Sequence, residues 1–270
     1  MYKMIVLDLD GTLTNSEKKI TPRTFEALMA AQKNGCRIVL ASGRPTYGIV
    51  PLAEQLHLAE YGGFIMAFNG GKIIDCESNK TLFEQKLDDS LVPLIYKQTM
   101  EAGLQILTYR GNAIVTTNAE DEYVNHEAFI NKMPVMQLTD FLNEIEYPVN
   151  KCLVVGEPSR IADFEPKIAV QMEGRISVYT SAPFFLECVP LNIDKAASLD
   201  RLISVLGITR DEVIACGDGH NDMSMIEYAG LGVAMANAEP EVKAVADYIT
   251  LSNEEDGVGK VINEFVSLAS

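Results

Sequence analysis

Segments typical of buried strands and of helices alternate at both ends of the chain, and this alternation restricts the fold more than any other feature. Apolar runs at residues 3–8, 36–42 and 64–68 predict strands, and the stretches between them predict helices. Such alternation is typical of a parallel sheet with helices on both of its faces. The alternation returns after residue 191, so we expect both ends of the chain to build one sheet.

Local signals support the predicted helices. Thr21-Pro22 is a typical helix start, with threonine as the cap and proline in the first turn, and Asn34-Gly35 is a typical helix end. Thr209 and Glu212 have the spacing of a capping box. The other segments predicted in the two ends are helices at 46–57, 195–206, 221–229, 240–246 and 257–267, and strands at 213–218, 231–235 and 248–250.

The middle of the chain follows a different order. A strand at 82–87 and a helix at 89–102 precede two strands joined by the turn Arg110-Gly111-Asn112, and a second strand, helix and hairpin follow within 151–189. We interpret this as a weak internal repeat in a separate α+β unit, since 270 residues are many for one domain. The predicted architecture is a parallel-sheet, Rossmann-like α/β core with helices on both faces, formed by residues 1–83 and 191–270, and an inserted α+β domain at 84–190.

Composition and charge disfavour several classes of protein. Hydrophobic residues make up 47% of the chain, which is too many for a disordered protein. The formal net charge of −16 disfavours binding to nucleic acid and to anionic membranes. The sequence shows no apolar stretch of membrane-spanning length and no secretory signal, and its five cysteines form no C-x-x-C pair. We therefore expect a cytoplasmic protein that binds neither nucleic acid nor membrane.

Polar residues follow four of the predicted strands, at the end where each strand stops. Asp8 and Asp10 end the first strand, Ser42-Gly43-Arg44 the second, Asn69-Gly70-Gly71 the third, and residues 217–222 the strand after the insertion. In open parallel sheets, ligands bind beyond the carboxyl ends of the strands. We therefore expect these side chains to share one site.

Four acids at this expected site suit a metal ion. Asp8 and Asp10, two residues apart on a strand, lean to the same side and repel each other unless one is protonated or a cation lies between them. With Asp218 and Asp222 they supply the oxygen ligands that Mg²⁺ prefers. One alternative is a strand end with solvated acids, and Asp222 can also be a helix cap. The convergence of polar residues at the other strand ends favours the metal site.

Several residues at the same strand ends are candidates for binding a phosphate group. Ser42 and Gly43 place a hydroxyl group and flexible backbone amides at the end of a strand. Lys195 opens a helix, where it adds positive charge beside the helix amides. Arg44 can hold an anion by a forked contact or lie solvated at the surface. Asn221 can be a ligand or a helix cap.

The chain resembles the haloacid dehalogenase-like hydrolases, and more closely their Cof-type sugar-phosphatase branch, in the order and spacing of four motifs. The motifs are Asp8-Leu9-Asp10-Gly11-Thr12-Leu13-Thr14, Ser42 within Ala-Ser-Gly-Arg, Lys195, and Gly217-Asp218 through Asn221-Asp222. That branch carries a large cap domain between its second and third motifs, where the insertion is predicted here. One departure is Ala196, which follows the third-motif lysine at a position where the family often has glycine.

The resemblance implies a phosphoric monoester hydrolase that uses Mg²⁺. Asp8 would attack the phosphorus atom and form an aspartyl-phosphate, and Asp10 would protonate the leaving alcohol and then deprotonate water. The metal would be held by the Asp8 carboxylate, the backbone carbonyl of Asp10 and Asp218, with Asp222 near it or behind a bound water. The phosphoryl oxygens would be held by the Leu9 amide, Ser42, Gly43, Lys195 and Asn221.

The resemblance also implies that the inserted domain is a lid that excludes water and contacts the leaving group. Glu187, on the last hairpin strand of the insert, is a candidate for contact with sugar hydroxyls. Arg110, at a hairpin tip, is a candidate for contact with a second anionic group. Each of the two is equally well explained as a surface residue. The expected substrate is a small phosphorylated sugar, polyol or sugar acid, with flavin mononucleotide and pyridoxal phosphate as further candidates.

Other functions on similar folds stay open at this point. A phosphomutase on the same scaffold returns the phosphoryl group to its substrate instead of to water. A phospho-accepting signalling module also gathers acids and a lysine around Mg²⁺, but such modules are much shorter and have no inserted domain. A D-x-D glycosyltransferase is disfavoured by the position of Asp218 late in the chain. A dehalogenase is disfavoured by Asp10, which suits the protonation of an alkoxide.

Overall fold

The computed structural model of the protein describes residues 2–266. The chain divides into two compact units. Unit 1 comprises the chain up to Glu84 and from Asp194 onwards, and unit 2 comprises Gln85–Ile193. Unit 1 is therefore built from two segments that lie far apart in the sequence.

Strands and helices are numbered here in chain order. The strands are β1 (Met4–Leu7), β2 (Arg37–Ala41), β3 (Phe64–Ala67), β4 (Lys72–Asp75), β5 (Lys80–Glu84), β6 (Gln105–Arg110), β7 (Ala113–Thr116), β8 (Val135–Gln137), β9 (Cys152–Val155), β10 (Ile176–Ala182), β11 (Phe185–Pro190), β12 (Val213–Gly217), β13 (Leu231–Ala234) and β14 (Tyr248–Ile249). The helices are α1 (Pro22–Lys33), α2 (Thr46–Gln55), α3 (Val92–Glu101), α4 (Glu122–Asn131), α5 (Phe141–Glu144), α6 (Pro158–Met172), α7 (Lys195–Leu206), α8 (Met223–Tyr228), α9 (Pro240–Val245) and α10 (Gly257–Phe265).

The sheet of unit 1 has, within the described residues, the strand order β14-β13-β12-β1-β2-β3-β4-β5. The strands from β14 to β3 are parallel, and β4 and β5 are antiparallel additions at one edge. Leu7 of β1 pairs with Cys216 of β12 and with Leu40 of β2, so these three strands end at the same level. The predicted α/β class is confirmed, with β1 between β2 and the strand that follows the insertion.

Helices cover both faces of this sheet. Met4 and Val6 pack on one face in a cluster that includes Leu199 of α7. Ile5 alternates with them and is also completely buried. On that opposite face, α1 packs against β2 and against α10. The uninterrupted apolar run of β1 is therefore the sequence of a strand that is buried on both sides.

Unit 2 is an α+β unit, and all of its residues are among those that the structure describes. Its sheet has the strand order β10-β11-β9-β6-β7-β8. Its pairs are antiparallel except for β7 and β8. The hairpin β6–β7 turns within the predicted Arg110-Gly111-Asn112, and β10–β11 is the hairpin predicted near the end of the insert. One face packs against α3 and α6 through Ile95, Ile161 and Ile168. The other face carries a smaller cluster that includes Val124 of α4.

The order predicted for the middle of the chain is wrong in one respect. The strand predicted at 82–87 is β5, which belongs to the sheet of unit 1, so the predicted repeat lacks its first strand in unit 2. The residues Lys80–Leu82 are exposed, and no apolar alternation distinguishes β5 from a loop. The strands β4 and β8 and the helices α4 and α5 were not predicted.

Two local signals have different outcomes. The capping box of Thr209 and Glu212 is confirmed, around a short 3₁₀ turn. Thr21 occupies the cap position of α1, but its hydroxyl donates to Asp256 and leaves the helix amides without a side-chain cap. The last helix, predicted at 257–267, ends at Phe265, and Ser267 lies outside the described residues.

Among residues 2–266, no helix combines the length and the apolar character needed to cross a membrane.

Candidate active site

Asp8 lies at the carboxyl end of β1 and belongs to a buried ion-pair cluster. Lys195, the first residue of α7, is completely buried, and its Nζ donates to Asp8 Oδ1 at 2.6 Å and to Asp222 Oδ1 at 2.5 Å. Burial alone would lower the pKa of Lys195, but the negative charges of Asp222 and Asp8 outweigh it and raise that pKa. Lys195 therefore places a positive charge between the carboxylates of Asp8 and Asp222.

Asp218, which follows β12, completes an oxygen cluster. Carboxylate oxygens of Asp8, Asp218 and Asp222 lie within 4.8 Å of one another. Burial raises the pKa of Asp218 to about 6, although the hydrogen bond from Thr12 Oγ1 to its Oδ1, 2.7 Å long, favours the ionised form. Burial also raises the pKa of Asp8, and the charge of Asp222 adds to that shift. Because Lys195 offsets only part of three acidic charges, the set fits a divalent cation with oxygen ligands.

Asp222 has a different set of partners from the other two acids. Its Oδ2 accepts the backbone N–H groups of Asp218 and Gly219, both at 3.0 Å, while its Oδ1 accepts Lys195. Within the described residues, the bonds to the side chains of Asp8 and Asp218 reach only Oδ1 of each. Both oxygens of Asp222 are therefore already engaged in hydrogen bonds.

Gly11 shows how closely the loop after β1 approaches Asp218. A Cβ atom on Gly11 would lie 2.2 Å from Asp218 Oδ2, and the residue has φ +85°. Both conditions require glycine at this position. Gly217 has a comparable constraint, since a Cβ there would lie 2.4 Å from the Cβ of Asp222.

Asp10 lies outside this oxygen cluster. Its carboxylate receives Arg44 Nε at 2.7 Å on Oδ2 and Arg44 Nη2 at 2.6 Å on Oδ1, and Lys18 Nζ also donates to Oδ1 at 2.6 Å. Burial would raise the pKa of Asp10, but the hydrogen bonds and charges of Arg44 and Lys18 outweigh it and lower that pKa. The forked contact predicted for Arg44 is present, and the anion that it holds in this structure is Asp10.

The predicted phosphate-binding residues lie at the neighbouring strand ends. Ser42 is buried at the end of β2, and its Oγ accepts the backbone N–H of Arg44 at 3.2 Å. Asn69, after β3, donates its N–H to the Ser42 carbonyl at 2.9 Å and accepts Asn221 Nδ2 on its Oδ1 at 3.0 Å. A Cβ on Gly43 would lie 3.2 Å from Asn69 Nδ2. The structure therefore brings Ser42, Gly43 and Asn221 together through Asn69.

The loop after β1, which carries Leu9, is hydrogen-bonded to two loops near the end of the chain. The Leu9 carbonyl accepts both the N–H and the hydroxyl of Thr14, at 2.9 and 2.8 Å. Asn237 donates to the Gly11 carbonyl and Asn253 to the Thr14 carbonyl, each at 2.8 Å. The two asparagines are themselves joined, since Asn253 N–H donates to Asn237 Oδ1 at 3.1 Å.

Glu187 belongs to unit 2, where it lies buried in a polar cluster. Its carboxylate contacts Lys151 Nζ at 2.9 Å and accepts the Ser181 hydroxyl at 3.0 Å. In the same unit, Tyr109 donates to Glu127 at 2.6 Å, and the ammonium of Lys151 lies 5.4 Å from the centre of the Tyr109 ring. Glu187 is therefore not the surface residue that the alternative interpretation describes.

Sequence reasoning assigned no role to four residues that contribute to these contacts: Lys18, Asn69, Asn237 and Asn253. Asn69 was noted only as part of a strand end. The other three occur in loops without periodicity, and no local pattern distinguishes them from surface residues. Arg110, the further candidate in unit 2, donates to the carbonyl of Glu144 at 3.2 Å.

Comparison with known proteins identifies the family. The sequence profile described as haloacid dehalogenase-like hydrolase matches residues 5–262. The chain belongs to this family. The resemblance found in the motifs, including that to the Cof-type branch, is confirmed, and so is the prediction of an enzyme of the phosphatase type.

Three relatives illustrate the match. A solved structure of a haloacid dehalogenase-like hydrolase from Bacteroides thetaiotaomicron is 53% identical, with a TM-score of 0.95 over 97% of this chain and 99% of that one. The 5-amino-6-(5-phospho-D-ribitylamino)uracil phosphatase YcsE of Bacillus subtilis is 31% identical over 98% of this chain and 96% of its own. The subclass IIB sugar phosphatase BT4131 is 25% identical, with a TM-score of 0.81 over 97% of this chain and 98% of that one.

Proposed function

We propose that the protein is an Mg²⁺-dependent phosphatase that hydrolyses small phosphorylated metabolites, with sugar phosphates as the favoured class. The observation that carries this proposal is the buried cluster in which Lys195 joins Asp8 and Asp222 beside Asp218. Two of the similar proteins are named as phosphatases of a phosphorylated ribityl compound and of sugar phosphates, which supports the substrate class.

The metal would be held by the carboxylates of Asp8 and Asp218 and by the backbone carbonyl of Asp10. We assign Asp222 to the fixing of Lys195 and of the loop at Asp218, because both of its oxygens already accept hydrogen bonds. When bound, Mg²⁺ would neutralise charge on the acids and on the phosphoryl group.

Asp8 would be the nucleophile. Lys195 holds its Oδ1, so Oδ2 is the oxygen available to attack phosphorus and form an aspartyl-phosphate. The transferred group would be held by the Leu9 amide, Ser42, Gly43, Lys195 and Asn221. Hydrogen bonds and charges placed in advance around the phosphoryl oxygens account for most of the catalysis in this type of reaction.

Asp10 would be the general acid and base. In the structure both of its oxygens accept from cations, an arrangement that suits its ionised form and therefore the deprotonation of water in the second half-reaction. To protonate the leaving alcohol in the first half-reaction, Asp10 must carry a proton, so at least one of these contacts has to open when the substrate binds.

Unit 2 would be the cap that determines specificity, and we propose residues 84–190 as its extent. Glu187 remains our candidate for binding a substrate hydroxyl. A hydroxyl group of the substrate would replace that of Ser181, which makes the same kind of hydrogen bond to Glu187. We also propose a cytoplasmic location, because all five cysteines are free thiols, as expected in a reducing compartment.

The test is the release of inorganic phosphate by the purified protein from 4-nitrophenyl phosphate and from a panel of sugar, polyol and nucleotide phosphates. We expect turnover with Mg²⁺, higher kcat/KM on a sugar phosphate than on the aryl ester, and no turnover by the folded Asp8→Asn variant. Full activity after exhaustive chelation would contradict the metal assignment. Transfer of the phosphoryl group to a second position of the substrate, without phosphate release, would instead indicate a phosphomutase.

A further inference from the structure

Arg44 is a partly buried cation with a forked contact to Asp10. Its side chain is 9% exposed, while that of Asp10 is 35% exposed. The guanidinium reaches one carboxylate oxygen through Nε at 2.7 Å and the other through Nη2 at 2.6 Å. Two parallel bonds of this kind fix the plane of the carboxylate as well as its position, which a single contact does not.

Arg44 is itself held in place by the backbone around it. Its Nη1 donates to the carbonyl of Gly48 in α2 at 3.2 Å, its N–H donates to Ser42 Oγ at 3.2 Å, and its carbonyl accepts the N–H of Phe68 at 3.0 Å. These contacts join Arg44 to the ends of β2 and β3 and to α2. The guanidinium therefore connects Asp10, which lies on the loop after β1, to α2, while the backbone of Arg44 is bonded to the ends of β2 and β3.

Lys18 contacts the same carboxylate, but it makes fewer contacts than Arg44 and is more exposed, so it cannot fix the orientation of Asp10 in the same way. It reaches only Oδ1, at 2.6 Å, and its side chain is 41% exposed. An exposed ammonium on a flexible stem adds charge without setting an orientation, and such a pair contributes little in water. The site thus offers a natural comparison between a cation that orients Asp10 and a cation that only neutralises it.

We propose that Arg44 is a positioning residue, which sets the orientation of the Asp10 carboxylate for proton transfer and does not bind the substrate. This rests on the proposed function of Asp10 as general acid and base. Proton transfer needs the carboxyl group within hydrogen-bond reach of the leaving oxygen and aimed at it. Loss of the fork would let Asp10 rotate, and the reaction most affected would be that of a leaving group that cannot depart without a proton.

The test is a double-mutant cycle of Asp10→Asn and Arg44→Lys, with single-turnover rates on an alkyl phosphate and on 4-nitrophenyl phosphate. Arg44→Lys keeps the charge and removes the fork. We expect it to slow the alkyl ester by about 10- to 100-fold and the aryl ester much less, since a small misplacement at a reacting centre can cost that much. KM should be unchanged for both esters. Added to Asp10→Asn, Arg44→Lys should change neither rate by more than about twofold.

Lys18→Met is the matched comparison, because it removes a cation from the same oxygen of Asp10. We expect it to change the alkyl rate by no more than a few-fold. A Lys18→Met loss as large as that of Arg44→Lys would show that charge, and not orientation, is what matters. The proposal is overturned if Arg44→Lys costs the same in the Asp10→Asn background, if it slows both esters equally, or if it raises KM while the rate stays constant. Any of these results indicates contact between Arg44 and the substrate.

A wild-type protein without turnover on any ester would contradict the proposed function, and the pairing of Arg44 with Asp10 would then be judged by stability. The same four proteins are unfolded in urea. We expect Arg44→Lys to lower the unfolding midpoint in the wild-type background and to leave it nearly constant in the Asp10→Asn background. Equal shifts in both backgrounds would mean that Arg44 does not act through Asp10, and the proposal would fail independently of catalysis.

Discussion

Replacement of Lys195 by methionine should destabilise unit 1 strongly, although methionine has a similar length and is apolar. Lys195 is completely buried and lies 2.6 Å from Asp8 and 2.5 Å from Asp222. Removal of one partner from a buried ion pair leaves a charge that neither water nor protein compensates, at a cost of about 3–5 kcal/mol. Two carboxylates lose their partner here, but the binding of a proton by one of them relieves the repulsion. We therefore expect a loss of about 3 kcal/mol near pH 7.5, at the lower end of that range.

The dependence of this loss on pH has a definite sign. Burial already raises the folded-state pKa of Asp8 above the unfolded value of about 3.9, and without Lys195 that pKa rises further. A carboxyl group whose pKa is raised by folding binds its proton more tightly in the folded state. The loss caused by Lys195→Met should therefore be small near pH 4 and should grow as the pH rises. Added Mg²⁺ should reduce the loss near neutral pH, because a bound cation stabilises the folded form.

The assay is urea unfolding between pH 4 and pH 8, followed by circular dichroism, with hydrogen exchange of peptides from β1 and α7 to report on unit 1 alone. Lys97→Met is the control, since Lys97 is 73% exposed in its pair with Glu101, and we expect it to change stability by less than about 1 kcal/mol. The reasoning is refuted if Lys195→Met is as stable as the wild type near pH 7.5, or if its loss grows as the pH falls.

Four further outcomes are expected. Asp8→Asn should abolish turnover and leave the fold intact, and mass spectrometry of acid-quenched wild-type enzyme should find the phosphoryl group on the peptide that contains Asp8. Asp10→Asn should slow alkyl esters by about 10²–10⁴-fold and aryl esters less, with Mg²⁺ affinity nearly constant; a collapse of Mg²⁺ binding, measured by calorimetry, would make its carboxylate a ligand. Exhaustive chelation should remove activity without unfolding, as judged by circular dichroism. Gly11→Ala should lose more stability in urea than Gly35→Ala, because both residues have φ +85° but only the first Cβ would meet Asp218.

The part of the site that is carried by strand ends could be predicted from the sequence. Asp8, Ser42 and Asp218 each follow an apolar run, and parallel strands bring such ends to one edge of the sheet. Lys195 is different, since nothing in its local sequence predicts its contact with Asp8, 187 positions away. Its position at a helix start made it a candidate for phosphate binding, and the resemblance to the family supported that role, but neither predicted the contact with Asp8. The fold that joins the two ends of the chain is what brings the pair together.

The contacts that could not be predicted depend on loop conformation and on side-chain orientation. Lys18 has φ +59° and reaches Asp10 from a loop without periodicity. Asn69, with φ +53°, connects Ser42 to Asn221 through both its backbone and its side chain. Similarly, β4, in the hairpin at the sheet edge, is only partly buried and lacks the apolar run that identifies a buried strand. Hydrophobic periodicity reports burial, so it does not identify polar contacts at the rim of a sheet.

Asp8 and Asp10, the two acids at the end of β1, have different cationic partners. Asp8 lies next to Lys195 and the carboxylates of Asp218 and Asp222. Burial raises its pKa, and the charge of Asp222 raises it further. Asp10, two residues on, faces Arg44 and Lys18, and these cations lower its pKa. A nucleophile must be ionised, but the charge of Lys195 does not fully offset the effects that raise the pKa of Asp8. A divalent cation bound by the oxygens of Asp8 and Asp218 would supply the remaining positive charge. The pKa of Asp10 is instead lowered by its own partners, Arg44 and Lys18, so its ionisation should not require a metal. Under the proposed mechanism, the metal dependence of activity would then arise at Asp8, the proposed nucleophile, and not at Asp10, the proposed general acid and base.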